Sequence, residues 1–271
     1  MYTYKGLGGN GRLGNQMFQY ATLLNVANMN NEQFVIPSTV DRHDFRLDGK
    51  YEILEAFPKL TAKQASRDSI CSLTNNQYIE PGFMYDPNVK IVKASTDLHG
   101  YFQSELYFSE SEKQIREEFT FKDSIVDSSK NKMDEIKLAN NAGMLCAIHI
   151  RRTDYKSSPD YHTNLGSEYY NTAIQGMLST FPGIKFVVFS DDMEWCKKNM
   201  PPETIFSTAN SQYEDMHMMS MCDTHIIANS SFSWWASWLA DSKLTVAPKE
   251  WFGKKGPSNW ATIYRTGWYL I

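Results

Sequence analysis

Apolar runs of strand length alternate with stretches of helical periodicity through the second half of the chain. Residues 144–148 are an unbroken apolar run, as long as a buried strand. Residues 167–180 set Tyr169, Tyr170, Ala173, Ile174 and Met177 on one helical face. A strand over 185–189 follows, then a helix through Lys198 and a methionine-rich helix over 211–222. A strand over 224–228, a helix over 232–239 and a strand over 244–247 complete the series. This alternation predicts a parallel sheet with helical crossovers.

The first half is less regular. Residues 2–5 read as a short strand, and a glycine-rich turn follows. Met17, Phe18, Ala21 and Leu24 then recur at helical spacing before a second strand at 34–36. Residues 39–49 are polar and charged and read as a loop, and Pro58 interrupts any helix over 51–63. Residues 89–94 alternate and predict a strand. Residues 98–108 mix aromatics with Gly, Gln, Ser and Glu. Aromatic faces beside amides and carboxylates suit a sugar, which has apolar CH faces and a rim of hydroxyls. The plain alternative is core packing, the expectation for Tyr107 and Phe108. Helices are expected over 109–119, capped by Ser109, and over 124–140, charged and exposed. The chain then divides into an N-terminal domain, 1–125, and a C-terminal domain, 126–271. Trp251, Phe252, Trp260 and Trp268 mark a C-terminal aromatic segment expected over a cleft or the other domain.

Composition narrows the function classes. The 271 residues fit one large domain or two of ordinary size. A net charge of −4 offers no general basic surface, so no nucleic-acid partner is expected. No run approaches the ~18 apolar residues of a membrane span, and the first residues lead straight into glycines with no apolar signal region. Cys71, Cys146, Cys196 and Cys222 show no zinc or redox spacing, which fits a reduced, cytoplasmic compartment. Cys146 reads as a small core residue.

Candidate chemistry gathers at predicted strand ends. His149-Ile150-Arg151-Arg152-Thr153-Asp154-Tyr155 follows the 144–148 run. Ligands of open α/β sheets bind beyond the carboxyl ends of strands, and guanidinium is shaped to take phosphate through a planar fork. The alternative is a pair of exposed arginines salt-bridged to Asp154. Gly6-Leu7-Gly8-Gly9-Asn10-Gly11 fits a dinucleotide fingerprint, without the acidic residue expected to end the next strand. Gly11-Arg12-Leu13-Gly14-Asn15-Gln16 lacks the lysine of a phosphate loop. Phosphate contact and plain turn both stay open there. Asp191 with Glu194 has the shape of a capping box, leaving Asp192 to accept from guanine N–H groups. Two adjacent carboxylates are also a weak signal for a divalent ion. Asn229-Ser230-Ser231 lies between a strand and a helix, either as a cap or as an anion site.

These blocks, in this order, resemble the α-1,2-fucosyltransferase family, glycosyltransferase family 11. The blocks are Gly11-Arg12-Leu13-Gly14-Asn15-Gln16-Met17-Phe18-Gln19-Tyr20-Ala21, Gly100-Tyr101-Phe102-Gln103-Ser104-Glu105, the 149–155 heptapeptide, Ser190-Asp191-Asp192 and Asn229-Ser230-Ser231-Phe232-Ser233-Trp234-Trp235. The heptapeptide is similar to an H-x-R-R-x-D motif shared with α-1,6- and protein O-fucosyltransferases. The resemblance implies an α/β, GT-B-like pair of Rossmann-like domains facing a cleft. The N-terminal one would serve the acceptor and the C-terminal one would hold GDP-fucose. It implies metal-independent, inverting transfer of L-fucose from GDP-β-L-fucose to the 2-hydroxyl of a galactoside, with no cofactor. Arg151 would hold the diphosphate and neutralise the leaving GDP. His149 would contact nucleotide or phosphate, and Arg152 would bind the donor or hold the loop. Ser230 and Ser231 would donate to the β-phosphate, with Asn229 beside them in the donor site. Asp191 or Asp192 would lie near guanine, and Gly14, Asn15 and Gln16 would line the N-terminal side. Asp154 is the candidate base, with support of the arginines as its rival role. Eukaryotic family members carry a membrane anchor, and the absence of one here points to a bacterial or viral cytoplasmic enzyme. Two other readings are a different GDP-sugar transferase on the same fold, using O-fucosyl or mannosyl transfer, and a carbohydrate-binding protein without chemistry.

Overall fold

The structure, a computed structural model, describes residues 1–39 and 51–271. The polar 39–49 stretch therefore lies, apart from Thr39, outside the described residues. The chain forms two α/β units. The first comprises Met1–Lys122 and Asn259–Arg265, and the second Asp123–Ser258 and Thr266–Ile271.

The first unit runs β1 (Tyr2–Thr3), α1 (Leu13–Met29), β2 (Phe34–Pro37), α2 (Glu52–Ala56), β3 (Lys63–Ala65), α3 (Arg67–Leu73), β4 (Asn76–Ile79), β5 (Thr96–His99) and α4 (Glu112–Glu118). Among the described residues its strands form one parallel sheet in the order β3-β2-β1-β5-β4. α1 is almost wholly buried and carries amides on its inner positions. These amides are tied to loops. Gln16 Nε2 donates to Gly11 O, Gln19 Nε2 to Asn10 O, and Asn25 Nδ2 to Tyr107 O.

The second unit runs α5 (Asp123–Ala139), β6 (Leu145–Ile150), α6 (Ser167–Thr180), β7 (Lys185–Ser190), α7 (Met193–Asn199), β8 (Ile205–Phe206), α8 (Gln212–Ser220), β9 (Thr224–Ile226), α9 (Ser231–Leu239), β10 (Thr245–Ala247) and β11 (Tyr269–Leu270). Its described strands are also all parallel, in the order β11-β10-β9-β6-β7-β8. β6 is central and every residue in it is buried, the reason it reads as a continuous apolar run. Alternation sends Cys146, Ile148 and Ile150 into a core shared with Tyr170, Ala173, Ile174 and Met177 of α6. His149 is left for the opposite face.

Several local readings are corrected. Residues 89–94 are not a strand. Pro87–Ile91 is a 3₁₀ turn, started by Pro87 and by Asp86 accepting from Asn88 N. The strand comes later, at Thr96–His99. Its edge partner β4 escaped notice because its four positions, Asn-Gln-Tyr-Ile, are exposed or half-buried and carry no alternation. Ser109 makes no capping bond, since Ser109–Ser111 is a 3₁₀ turn leading into α4. Residues 259–265 cluster with the first unit, where Thr262 Oγ1 accepts from Tyr85 N and Arg265 pairs with Glu105. Trp251 and Trp268 pack inside their own unit. Trp251 O accepts from Asn229 Nδ2, and the Trp268 ring lies 5.9 Å from that of Trp234. No helix of the described residues is long and apolar enough to cross a membrane.

Candidate donor site

In the second unit the chain builds β7 and β8 on one side of β6, then returns to build β9, β10 and β11 on the other. Strand order thus reverses beside β6, the place where open α/β sheets bind ligands at their carboxyl ends. Three loops meet at that edge: 151–157 after β6, 191–192 after β7 and 227–230 after β9. The candidate donor residues Arg151, Arg152, Asp154, Asp191, Asp192, Asn229, Ser230 and Ser231 all lie in or beside them.

The two arginines diverge, as neighbours in extended backbone must. Arg151 Nη2 donates to Asp154 Oδ2 at 2.8 Å, and its Nη1 lies 3.2 Å from Asp191 Oδ2. Arg152 turns away. Its guanidinium carbon sits 4.1 Å from the centre of the Trp195 ring, a cation–π contact. Its Nη1 donates to Leu165 O at 3.3 Å, and Nε lies 3.6 Å from Asp192 Oδ2. Arg152 is thereby built into the unit, whereas Arg151 stays at the loop surface, its side chain 23% exposed.

The helix-capping role expected of Asp191 falls to its neighbour. Asp192, not Asp191, caps α7 by accepting from Trp195 N. It also pairs with Lys156 at 2.5 Å, which chiefly holds its carboxyl below the usual range. Asp191 is the organiser of the arginine loop. It accepts from Arg152 N at 2.9 Å, from Thr153 N at 3.3 Å and from Thr153 Oγ1 at 2.6 Å. The capping-box spacing to Glu194 could not distinguish them. Register decides instead, because Ile150 pairs with Ser190 and the residue after each meets across the strand ends.

Asn229 is buried, and its Nδ2 and backbone oxygen are tied into the scaffold while its Oδ1 has no hydrogen-bond partner among the described residues. Its Nδ2 donates to Thr163 O and Trp251 O, and its backbone oxygen accepts from Tyr155 Oη at 2.8 Å. That last bond ties the loop after β6 to the loop after β9. Ser230 caps α9 by accepting from Phe232 N. Ser231 opens the helix half-exposed, and no described residue bonds its hydroxyl. An unused hydroxyl at a helix start is a ready donor to an anion.

His149 lies 2.9 Å through Nδ1 from Ser233 Oγ and 5.4 Å from the Phe232 ring centre. Ser233 Oγ also reaches Ala228 O and Ser230 O, so its proton has carbonyls to go to. The imidazole then donates through Nδ1 and keeps Nε2 as an acceptor. Burial, helped by the Arg151 charge, pushes His149 down to about 3, so it is neutral near pH 7. The folded state refuses a proton that the unfolded state takes from about pH 6.5 downward. Stability present above pH 6.5 is therefore lost as pH falls toward the folded value, by about 1.4 kcal/mol per unit. Thermal midpoints measured from pH 7 to pH 4 are expected to fall steeply, and less steeply in His149→Asn. Burial also lowers His225 and His217, both to about 4, so part of the slope remains. Parallel curves for variant and wild type would contradict the assignment.

Trp195 and Lys156 lie outside the motifs read from sequence, and Tyr155 and Ser233 stand within them without an assigned role. Their only sequence signal is position, since each sits within a turn of a strand-end motif.

In the first unit, the start of α1 already holds an anion. Glu52, 1% exposed, accepts from Leu13 N at 2.6 Å and pairs with Arg12 at 3.1 Å. Gly11, at φ +98°, leaves no room for a side chain, because a Cβ would meet Asn15 Nδ2 at 2.1 Å. This favours the turn's geometric role over phosphate contact. Gly14 and Gln16 are buried, and Gln16 Oε1 accepts from Ile53 N. Asn15 keeps some exposure and accepts from Gln103 Nε2 at 2.8 Å.

The family model of glycosyl transferase family 11 matches residues 5–271. An alpha-1,2-colitosyltransferase of Escherichia coli is 32% identical, covering 93% of this chain and 96% of that protein. Human galactoside alpha-(1,2)-fucosyltransferase 1 is 27% identical over 85% of this chain and 64% of its own length. Among solved structures, NodZ alpha-1,6-fucosyltransferase soaked with GDP-fucose superposes with a TM-score of 0.54 at 14% identity, covering 95% of this chain and 96% of that one. That likeness establishes the fold, an α/β architecture of GT-B type.

Proposed function

The chain belongs to glycosyl transferase family 11, and from that premise we propose that it transfers L-fucose from GDP-β-L-fucose to the 2-hydroxyl of a galactoside, with inversion and without a metal. The observation that carries this reading is that the loop bearing Arg151 and the turn leading into Ser231 leave the adjacent strands β6 and β9 at the strand-order reversal of the second unit, and are joined by Tyr155 Oη donating to Asn229 O. The donor's guanosine diphosphate is taken up on that edge. Its diphosphate becomes more negative as the glycosidic bond breaks, while the sugar gains oxocarbenium character. Arg151, clamped by Asp154 and Asp191, presents fixed positive charge where the negative charge grows. Such preorganised stabilisation is usually the largest catalytic contribution. The Ser231 hydroxyl adds a neutral donor, and His149 Nε2 adds an acceptor. Arginine supplies the charge that a divalent ion supplies elsewhere, which supports a metal-independent transfer.

Asp154 is the carboxylate nearest the phosphate-binding arginine in sequence. Burial pushes its carboxyl up, but the hydrogen bond and charge of Arg151 more than offset this and leave it below the usual range. A carboxylate so held is a weak base and a good clamp. Support of Arg151 is therefore the role its geometry favours.

A second reading has one observation behind it. The colitosyltransferase relative suggests a colitosyl donor in place of fucosyl. Calorimetry and turnover decide between them. GDP is expected to bind with measurable heat, and GDP-fucose with lactose to give an α-1,2-linked product in the presence of EDTA. Faster turnover of the corresponding colitosyl nucleotide would favour the second reading. No heat on titrating GDP would end both.

A further inference from the structure

The carboxyl edge of the first unit's sheet carries a feature that the donor chemistry leaves unused. β5 lies against β1 on the side away from β2 and β3, so this sheet too has a strand-order reversal. Just past β5 the chain makes a tight, strained turn. A side chain at Gly100 would have its Cβ 2.4 Å from Glu80 Cβ. Phe102 has φ +54°, a left-handed conformation rare for a bulky residue. Strain of this kind persists only where the surroundings over-determine it.

Here they do. Glu80 Oε2 accepts from Tyr101 N at 2.7 Å and from Phe102 N at 2.9 Å. Tyr4 Oη donates to Gly100 O at 2.5 Å. The Phe102 ring is fully buried, edge-on to Tyr4 and Tyr107 and stacked with Tyr78. Burial pushes the Glu80 carboxyl up to about 7 against the pull of its two N–H bonds. What this rigid turn presents is Tyr101, 37% exposed, with its ring stacked on Phe83 at 5.5 Å and 22°. Beside it is Gln103, half-exposed, whose amide N–H is held by Asn15. Its amide oxygen has no partner among the described residues.

An aromatic face held by a strained turn, followed two residues on by an amide that is paired to a second amide, matches a pyranose ring. The axial hydroxyl of a galactoside leaves three C–H bonds on one ring face to stack on an aromatic, with the other hydroxyls free for amides. We propose that Tyr101, backed by Phe83, is the stacking platform of the acceptor sugar, that Gln103 and Asn15 bind its hydroxyls, and that Glu80 is a positioning residue for the platform. The inference rests on the transferase reading above and names its acceptor subsite.

Saturation-transfer NMR with lactose as probe, on the whole chain, tests the platform without turnover. Lactose signals are expected with wild type and Tyr101→Phe, and to be at least ten-fold weaker with Tyr101→Ala. In assays, Glu80→Ala is expected to raise the KM for lactose at least ten-fold with kcat and GDP affinity unchanged. Glu80→Gln, which keeps an acceptor oxygen for the two N–H groups, restores it. Undiminished lactose signals in Tyr101→Ala, or none with wild type, would overturn the proposal. GDP calorimetry on the same samples separates this from the donor reading, which fails only if wild type gives no heat.

Discussion

Arg151→Lys is expected to lower the transfer rate at least about 100-fold, a loss of about 2.7 kcal/mol of transition-state stabilisation. Lysine keeps the charge but loses the fork. The Arg151 guanidinium touches Asp154 through one terminal nitrogen and Asp191 through the other, and the two carboxylates set its plane. An ammonium is a point charge on a flexible stem and cannot satisfy both clamps while facing a diphosphate. Arg151→Ala should be at least as damaging. Its side chain is partly exposed, so neither substitution should unfold the unit, and far-ultraviolet circular dichroism would confirm that. The loss should fall mainly on kcat, because the charge it meets develops in the transition state. A well-folded variant within a few-fold of wild type would remove Arg151 from the chemistry.

Asp191→Ala is expected to cost almost as much, about 100-fold in kcat/KM, although no role at the reacting atoms is assigned to this residue. One carboxylate receives the Arg152 N–H, the Thr153 N–H and the Thr153 hydroxyl, and lies against Arg151. Removing it frees three consecutive residues, and a misplacement of about 1 Å at a catalytic group costs on the order of 100-fold. Asp191→Asn should be nearly as poor, because its NH₂ would face donors where an acceptor is needed. Asp192→Asn is the control. It keeps a capping oxygen for Trp195 N and weakens only the pairs with Lys156 and Arg152, so its effect should stay below about ten-fold. If Asp192 reads guanine, the order reverses and Asp192→Asn loses GDP affinity by calorimetry while Asp191 variants keep it. A crystal structure of Asp191→Ala with the 151–153 loop unmoved would also defeat the positioning role.

The site was partly legible because its strongest signal is local. An apolar run buried on both faces, followed at once by two arginines, is a strand end whatever surrounds it. The cap within the Asp-Asp pair is misplaced by one residue for a related reason, since adjacent residues share almost the same local signal.

By itself, the sequence determined the alternation of helices and strands, the central burial of β6, the strand-end position of Arg151 and Arg152, and the family. All of these follow from side-chain periodicity and from motifs short enough to be read in one element. Tertiary structure alone decided that Asp191 serves the arginine loop while Asp192 caps α7. It likewise decided that Arg152 lies against Trp195, that Glu52 occupies the start of α1, and that residues 259–265 join the first unit. Apart from the Asp192 cap, which is local, each of these is a pairing between groups on separate segments of the chain. Periodicity says which face a residue takes, but only parallel strand register and loop packing say what it meets there.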